Sequence, residues 1–128
     1  MDEELLEKFD DLTKRREYEN RSESLRDIIR DALVKDEWDQ NENIVGTITL
    51  VYDHHKPGLM QQLAGIQHAL LKSVISNMHI HLDHHNCLEV IVVRGKARKI
   101  QQLTNSLLKL KGVKHGGLQA STTGKLLS

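Results

Sequence analysis

From residue 45 the hydrophobic pattern switches between strand and helix periods in a set order, and that order restricts the fold more than any other feature of the chain. The run "VGTITLVY" (45–52) is β-rich. Pro57 then suits the first turn of a helix, with Leu59, Leu63, Ile66, Leu70 and Ile75 following at three- to five-residue steps. "MHIHL" (78–82) alternates, "CLEVIVV" (87–93) is a second β-branched run, "KARKIQQLTNSLLKLKG" (96–112) is a helix ended by Gly112, and "VKHGGLQAST" (113–122) is a last strand. The order β-α-β-β-α-β predicts an α+β domain of the ferredoxin-like split type, an antiparallel sheet with both helices on one face.

Two helical patterns precede it. Leu5, Leu6, Phe9 and Leu12 make a narrow apolar stripe, the polar break "REYEN" (16–20) follows, and Leu25, Ile28, Ile29, Ala32 and Leu33 then form a full amphipathic face. Asn20 with Glu23 three residues on has the form of a capping box at the start of that second helix. Two helices bury too little surface to stand alone, so this half is expected to pair with another chain. The polar stretch "KDEWDQNEN" (35–43) separates the halves. The expected organisation is a helical unit at 1–36, a linker at 37–43, the α+β domain at 44–122 and a flexible tail at 123–128.

Charge narrows the function classes. Among 128 residues, 18 Lys and Arg balance 18 Asp and Glu, so there is no whole-protein case for nucleic acid or membrane, and any DNA contact has to be local. The single cysteine excludes an internal disulfide framework. No apolar run approaches the ~20 residues of a membrane span, and no leader pattern opens the chain. These readings predict a cytoplasmic protein with a free thiol.

The chemistry concentrates in "NMHIHLDHHNCLEV" (77–90), which holds four of the eight histidines and the cysteine. Strand alternation puts His79 and His81 on one side, their alpha carbons roughly 7 Å apart, with Met78, Ile80 and Leu82 on the other. Through the turn "DHHN" (83–86) the chain returns with Cys87 and Glu89 on the histidines' side. Leu88, Val90 and Val92 join the apolar set, which is expected to take the helix-covered face. The histidines would then share the far face with Ile91 and Val93, under cover of a second copy of the chain. An H-x-H-x5-C pattern with matched strand sides suggests a metal site, for which His68 is a candidate fourth ligand; the "DHHK" (53–56) and "DHHN" clusters read as solvated turns. Catalytic zinc also uses three protein ligands and a water, but only Glu89 stands by as a general base, so an enzyme is not expected.

Taken together, "YENRSESLRDIIRDAL", "VYDHHK", "IQHALL", "HIHLDHHNCLEV" and "LKGVKHGGL", in this order and spacing, resemble the nickel-responsive transcriptional regulators (NikR) from Met1 to about residue 120. That resemblance implies a ribbon-helix-helix half joined to an ACT-type metal-binding half. It implies one Ni(II) per subunit in a planar site of His79, His81 and Cys87 with His68 from a facing subunit. Glu89, Gln67 and Tyr52 match positions that orient the ligands, and Glu23 and Asp27 match a further cation site. Asn20, Arg21, Ser22 and Lys56 match positions that touch DNA phosphates. The family assembles as a homotetramer, a dimer of dimers, that represses transcription from a palindromic operator. In the family an N-terminal strand reads the bases, whereas here Met1 stands where that strand would end. Residues 1–128 are therefore expected to bind Ni(II) without a nickel-dependent operator preference. The alternative reading is a nickel-sequestering regulator without sequence-specific DNA binding.

Overall fold

The computed structural model describes residues 2–127, and these divide into two compact units at Leu33/Val34. The first contains α1 (Glu3–Arg15) and the start of α2 (Arg21–Asp39). Asp2 caps α1, its carboxylate accepting the Glu4 amide at 3.0 Å. Asn20 caps α2 as the sequence suggests, accepting the Glu23 amide at 3.0 Å. Glu23 itself reaches one residue further back than a capping box requires, to the Glu19 amide at 3.3 Å. Arg21 holds Asp10 through two bonds of 2.7 and 2.8 Å, and that guanidinium keeps the Asp10 carboxyl below its ordinary range. Leu25, Ile29 and Leu33 remain exposed on α2, an apolar face the unit does not cover by itself.

α2 runs on to Asp39, through the first part of the polar stretch, and its last turns belong to the second unit. The chain leaves the helix at Asn41, whose left-handed φ of 56° asparagine tolerates well. Trp38 is buried in the second unit, its indole nitrogen donating to the Ser121 carbonyl at 2.9 Å.

The second unit continues with β1 (Asn43–Asp53), α3 (Leu59–Ala69), β2 (Val74–His81), β3 (Asn86–Lys96), α4 (Ala97–Leu108) and β4 (Val113–Ala120). The strands form one antiparallel sheet in the order β2-β3-β1-β4, as the split β-α-β-β-α-β unit requires. Two boundaries differ from the periodicity. Ile75 lies in β2, not α3, because the apolar spacing carries across the short turn between them. α4 ends at Leu108, short of Gly112, which takes φ 100° in the turn to β4. Among the described residues no helix is long and apolar enough to cross a membrane.

One core lies between the sheet and both helices. Leu59 and Leu63 from α3 and Ile100, Leu103 and Leu107 from α4 pack on Ile44, Ile48, Leu50, Tyr52, Cys87, Ile91 and Val93. Each fully buried aliphatic side chain there contributes about 1.5–3 kcal/mol. This reverses the expected faces. Ile91 and Val93 are 0% exposed beneath the helices, while Met78, Ile80 and Leu82 are 59%, 37% and 51% exposed on the helix-free side with Leu88, Val90 and Val92. His79, His81, Cys87 and Glu89 do share one side of the sheet, and that side is the helix-covered one. The reason is position: β2 is an edge strand, so its apolar residues carry little weight in deciding which face is covered.

β4 approaches the core closely at Gly116, where a β-carbon would stand 2.5 Å from the Thr49 carbonyl oxygen and 2.8 Å from Leu108 Cδ2. The carbonyl belongs to a paired strand and cannot give way. Gly116→Ala is therefore expected to cost about 1–3 kcal/mol of unfolding free energy, measured by urea denaturation; an unchanged midpoint would show that β4 shifts freely.

Candidate metal centre

The hairpin of β2 and β3 builds the site, with β1 alongside. His81 stands opposite Cys87 and His79 opposite Glu89 in the β2–β3 register, and Tyr52 of β1 faces Cys87 from the other side. A β-bulge at Ile75, the extra residue between the pairs Val74–Val93 and Ser76–Val92, sets this phase along the rest of β2. The buried Cys87 Sγ lies 3.3 Å from His81 Nδ1. Burial raises the Cys87 thiol above its ordinary pKa, helped by the negative charges of Asp83 and Glu89.

His79 is held from behind. The Tyr52 hydroxyl is 3.1 Å from its Nδ1, and Glu89 Oε1 is 4.0 Å away. Glu89 is itself buried, which raises its pKa against the opposing pull of the Gln67 hydrogen bond and the His79 ring. Gln67 of α3 donates to Glu89 at 3.2 Å and accepts from Asn77 at 2.9 Å. The resulting chain Asn77–Gln67–Glu89–His79–Tyr52 ties α3 to the two central strands and the edge strand. Burial, then the nearby Glu89 and Cys87, keep the Tyr52 phenol protonated far above neutral pH, so it serves His79 as a neutral partner.

The tightest donor group differs from the expected one. His54, His81 and Cys87 present ligand atoms all within 4.8 Å of one another. His54, just past the end of β1, reaches the hairpin because β1 pairs with β3 down to Asp53–Asn86. Its Nδ1 is buried with no hydrogen-bond partner, an orphaned nitrogen within a set of imidazole and thiolate donors. His79 adjoins the group, its ring centroid 5.5 Å from that of His81. Imidazole and thiolate together suit late divalent metals such as nickel, copper and zinc and do not suit magnesium or calcium, so the residues present fit a nickel-class ion.

The other expected residues are dispersed. His68 is exposed on α3 and lines a cavity of about 430 Å³ together with Gln67, Tyr52, Asn77 and Glu89. Asp27 accepts a hydrogen bond from the Tyr18 hydroxyl, and Glu23 accepts the Glu19 amide, so both carboxylates have partners within the first unit. Asn20, Ser22 and Lys56 are exposed, and Arg21 is committed to Asp10. Sequence reasoning missed His54 and Asn77. "VYDHHK" contained the signal for His54, but only the β1–β3 pairing brings it to the hairpin.

Comparison with known proteins gives the family. The family described as the NikR C terminal nickel binding domain matches residues 45–121. A Pyrococcus horikoshii protein, provisionally described as a nickel-responsive regulator, is 52% identical over 96% of this chain and 90% of its own length. A Geobacter sulfurreducens protein with the same description is 54% identical over 99% and 92%. A solved structure of an uncharacterized protein from Thermotoga maritima shares the fold, with a TM-score of 0.56 at 14% identity, over 62% of this chain and 98% of that one. A family match across most of the α+β unit and relatives about half identical over nearly the whole length place this chain in the NikR family of nickel-responsive regulators.

Proposed function

We propose that the chain is a nickel-responsive transcriptional repressor. One Ni(II) per subunit is held by His79, His81 and Cys87 together with His68 of a partner subunit, in a homotetramer that couples the metal to a palindromic operator. The observation that carries this reading is the buried Cys87 thiol against His81, with His79 fixed beside it by Tyr52 and Glu89. The bound ion supplies a rigid anchor across the subunit boundary. The chain supplies the rest: Tyr52, Gln67 and Glu89 orient the ligands, and α3 presents His68 at the rim of the cavity beside them.

Two exposed apolar surfaces support assembly. Met78, Ile80 and Leu82 on the open sheet face suit sheet-to-sheet contact, and Leu25, Ile29 and Leu33 on α2 suit pairing of the ribbon-helix-helix halves. Asn20 and Ser22 at the start of α2 and Lys56 beyond β1 are accessible to DNA phosphate. Light scattering with and without Ni(II), followed by a gel shift on palindromic DNA, tests the reading; a chain that stays monomeric and shows no nickel-dependent binding overturns it. A second reading, a nickel-sequestering regulator without sequence-specific DNA binding, is favoured by one observation: the Arg21 guanidinium is already paired with Asp10.

Removing the Tyr52 hydroxyl tests how the ligands are oriented. Tyr52→Phe keeps the buried ring and deletes the bond to His79, so nickel affinity should fall about 10- to 100-fold with little change in fold. Competition against a chelator measures it, and undiminished affinity would leave Tyr52 as core alone.

A further inference from the structure

The balanced charge of the chain hides a separation along it. Residues 1–53 hold 16 of the 18 Asp and Glu and 8 of the 18 Lys and Arg, whereas residues 90–128 hold eight Lys and Arg and no acid at all. α4 lies within that basic stretch. Its inner face belongs to the core through Ala97, Ile100, Leu103, Thr104 and Leu107. Its outer face exposes Arg98, Lys99, Gln101, Gln102, Asn105 and Ser106, and the exposed Lys96 and Lys109 stand at its two caps. Among the described residues, none of Lys96, Arg98, Lys99 and Lys109 forms an ion pair.

The start of α4 runs against the helix's own field. Aligned peptide dipoles make a helix N-terminus positive, so acids are favoured there and cations are not. α4 has no acid in its first turn and carries Lys96, Arg98 and Lys99 instead. Its first amides are already taken, Ala97 by the Glu42 carbonyl at 3.1 Å and Arg98 by the Asn41 side chain at 2.9 Å. An anion drawn to this end would therefore meet side chains, not free backbone. Arg98, Gln102, Asn105 and Lys109 follow one another at helical steps of four, three and four residues, which makes one stripe along a helix of about 18 Å.

We infer that this outer face of α4 contacts the phosphate backbone of duplex DNA without reading its sequence. Lys and Arg interleaved with Gln, Asn and Ser are the donors that phosphate and sugar oxygens take. A membrane surface fits less well, because no large apolar side chain is exposed on α4 to enter the acyl boundary. Single strands are bound with aromatic stacking platforms, and residues 90–128 contain no Phe, Tyr or Trp. The face is also separate from the apolar surface of Met78, Ile80 and Leu82, since α4 packs on the opposite side of the sheet. The inference shares only its DNA partner with the repressor reading and involves no metal ligand.

Fluorescence anisotropy of the full chain with a labelled duplex of arbitrary sequence, in chelator and across about 50 to 200 mM salt, tests it. Binding should weaken steeply with salt. Arg98→Gln/Lys99→Gln/Lys109→Gln should flatten the slope of log affinity against log salt by roughly 0.9 per lost contact, about 2 to 3 in all, and Arg98→Gln alone by about 0.9. Lys35→Gln/Lys114→Gln/Lys125→Gln removes the same charge away from α4 and should leave the slope nearly unchanged, with circular dichroism confirming that every variant folds. Equal flattening in both triple variants, an undiminished slope in the α4 variants, or no binding by the unaltered chain at the lowest salt would overturn the contact. Equal affinity for phosphatidylglycerol vesicles would overturn it as well, in favour of a lipid surface. Preference for a palindrome is scored separately with Ni(II) in place of chelator. Its absence beside a slope that the α4 variants flatten would sink the repressor reading and leave this contact standing.

Discussion

Cys87→Ser is expected to lower nickel affinity by at least about a hundredfold, above the 10- to 100-fold that loss of a merely supporting group costs, and to abolish the thiolate-to-metal charge-transfer absorption. The thiol is the buried member of its donor group, 3.3 Å from His81, and the thiolate is the soft, anionic donor that a serine hydroxyl cannot replace near neutral pH. The fold should survive, since the substitution is nearly isosteric and His81 stands within reach of the new hydroxyl. Incomplete satisfaction of that hydroxyl costs about 1–3 kcal/mol. Nickel titration followed by absorbance, with circular dichroism as a control, decides the matter. An unchanged band and affinity would remove Cys87 from the site.

Nickel affinity should also rise with pH, by about tenfold per unit while the free thiol remains protonated. The sign follows from the environment of Cys87. Burial, then the charges of Asp83 and Glu89, raise its pKa, so the folded chain carries a neutral thiol at neutral pH. Binding as thiolate must expel that proton, and each step up in pH makes the expulsion easier until the raised pKa is passed and the profile flattens. Glu89→Gln removes one of the charges that raise the thiol, so its plateau should begin at lower pH. Chelator competition across roughly two units around neutrality would show the slope; a flat profile would mean that the thiol is already ionised before metal arrives.

Asp83 depends on pH in the opposite direction. Hydrogen bonds from the Asn86 side chain, then from the Asn86 and His85 amides, lower its pKa to about 2. A depressed carboxylate contributes stability that is present above the ordinary carboxylate range and lost as pH falls toward that value. The hairpin turn that positions Cys87 should therefore hold at neutral pH and loosen only in strong acid.

Much of the molecule could be read without coordinates. Local signals are short-range, so the Asn20 cap, the strand order and the alternation along 78–93 were all legible. Alternation alone placed His79, His81, Cys87 and Glu89 on one side of the sheet, because the side-chain period of a strand is two whatever surrounds it. The H-x-H-x5-C spacing then pointed to the hairpin as a place where imidazoles and a thiol meet.

Which side the helices cover was not legible. Leu88, Val90 and Val92 are as apolar as Ile91 and Val93, so the two faces of β3 compete evenly in sequence, and a period of two has no preference between them. Packing against Leu59, Leu63, Ile100, Leu103 and Leu107 decides it, burying Cys87 and Glu89 and thereby raising both their pKa values. His54 has the same history. Nothing local distinguishes it from its neighbour His55, but the pairing of β1 with β3 carries one into the donor group and leaves the other in the exposed turn. The sequence by itself determined the elements, their order and which side chains travel together. The tertiary structure alone decided which set is buried, because that choice depends on contacts between residues far apart in the chain.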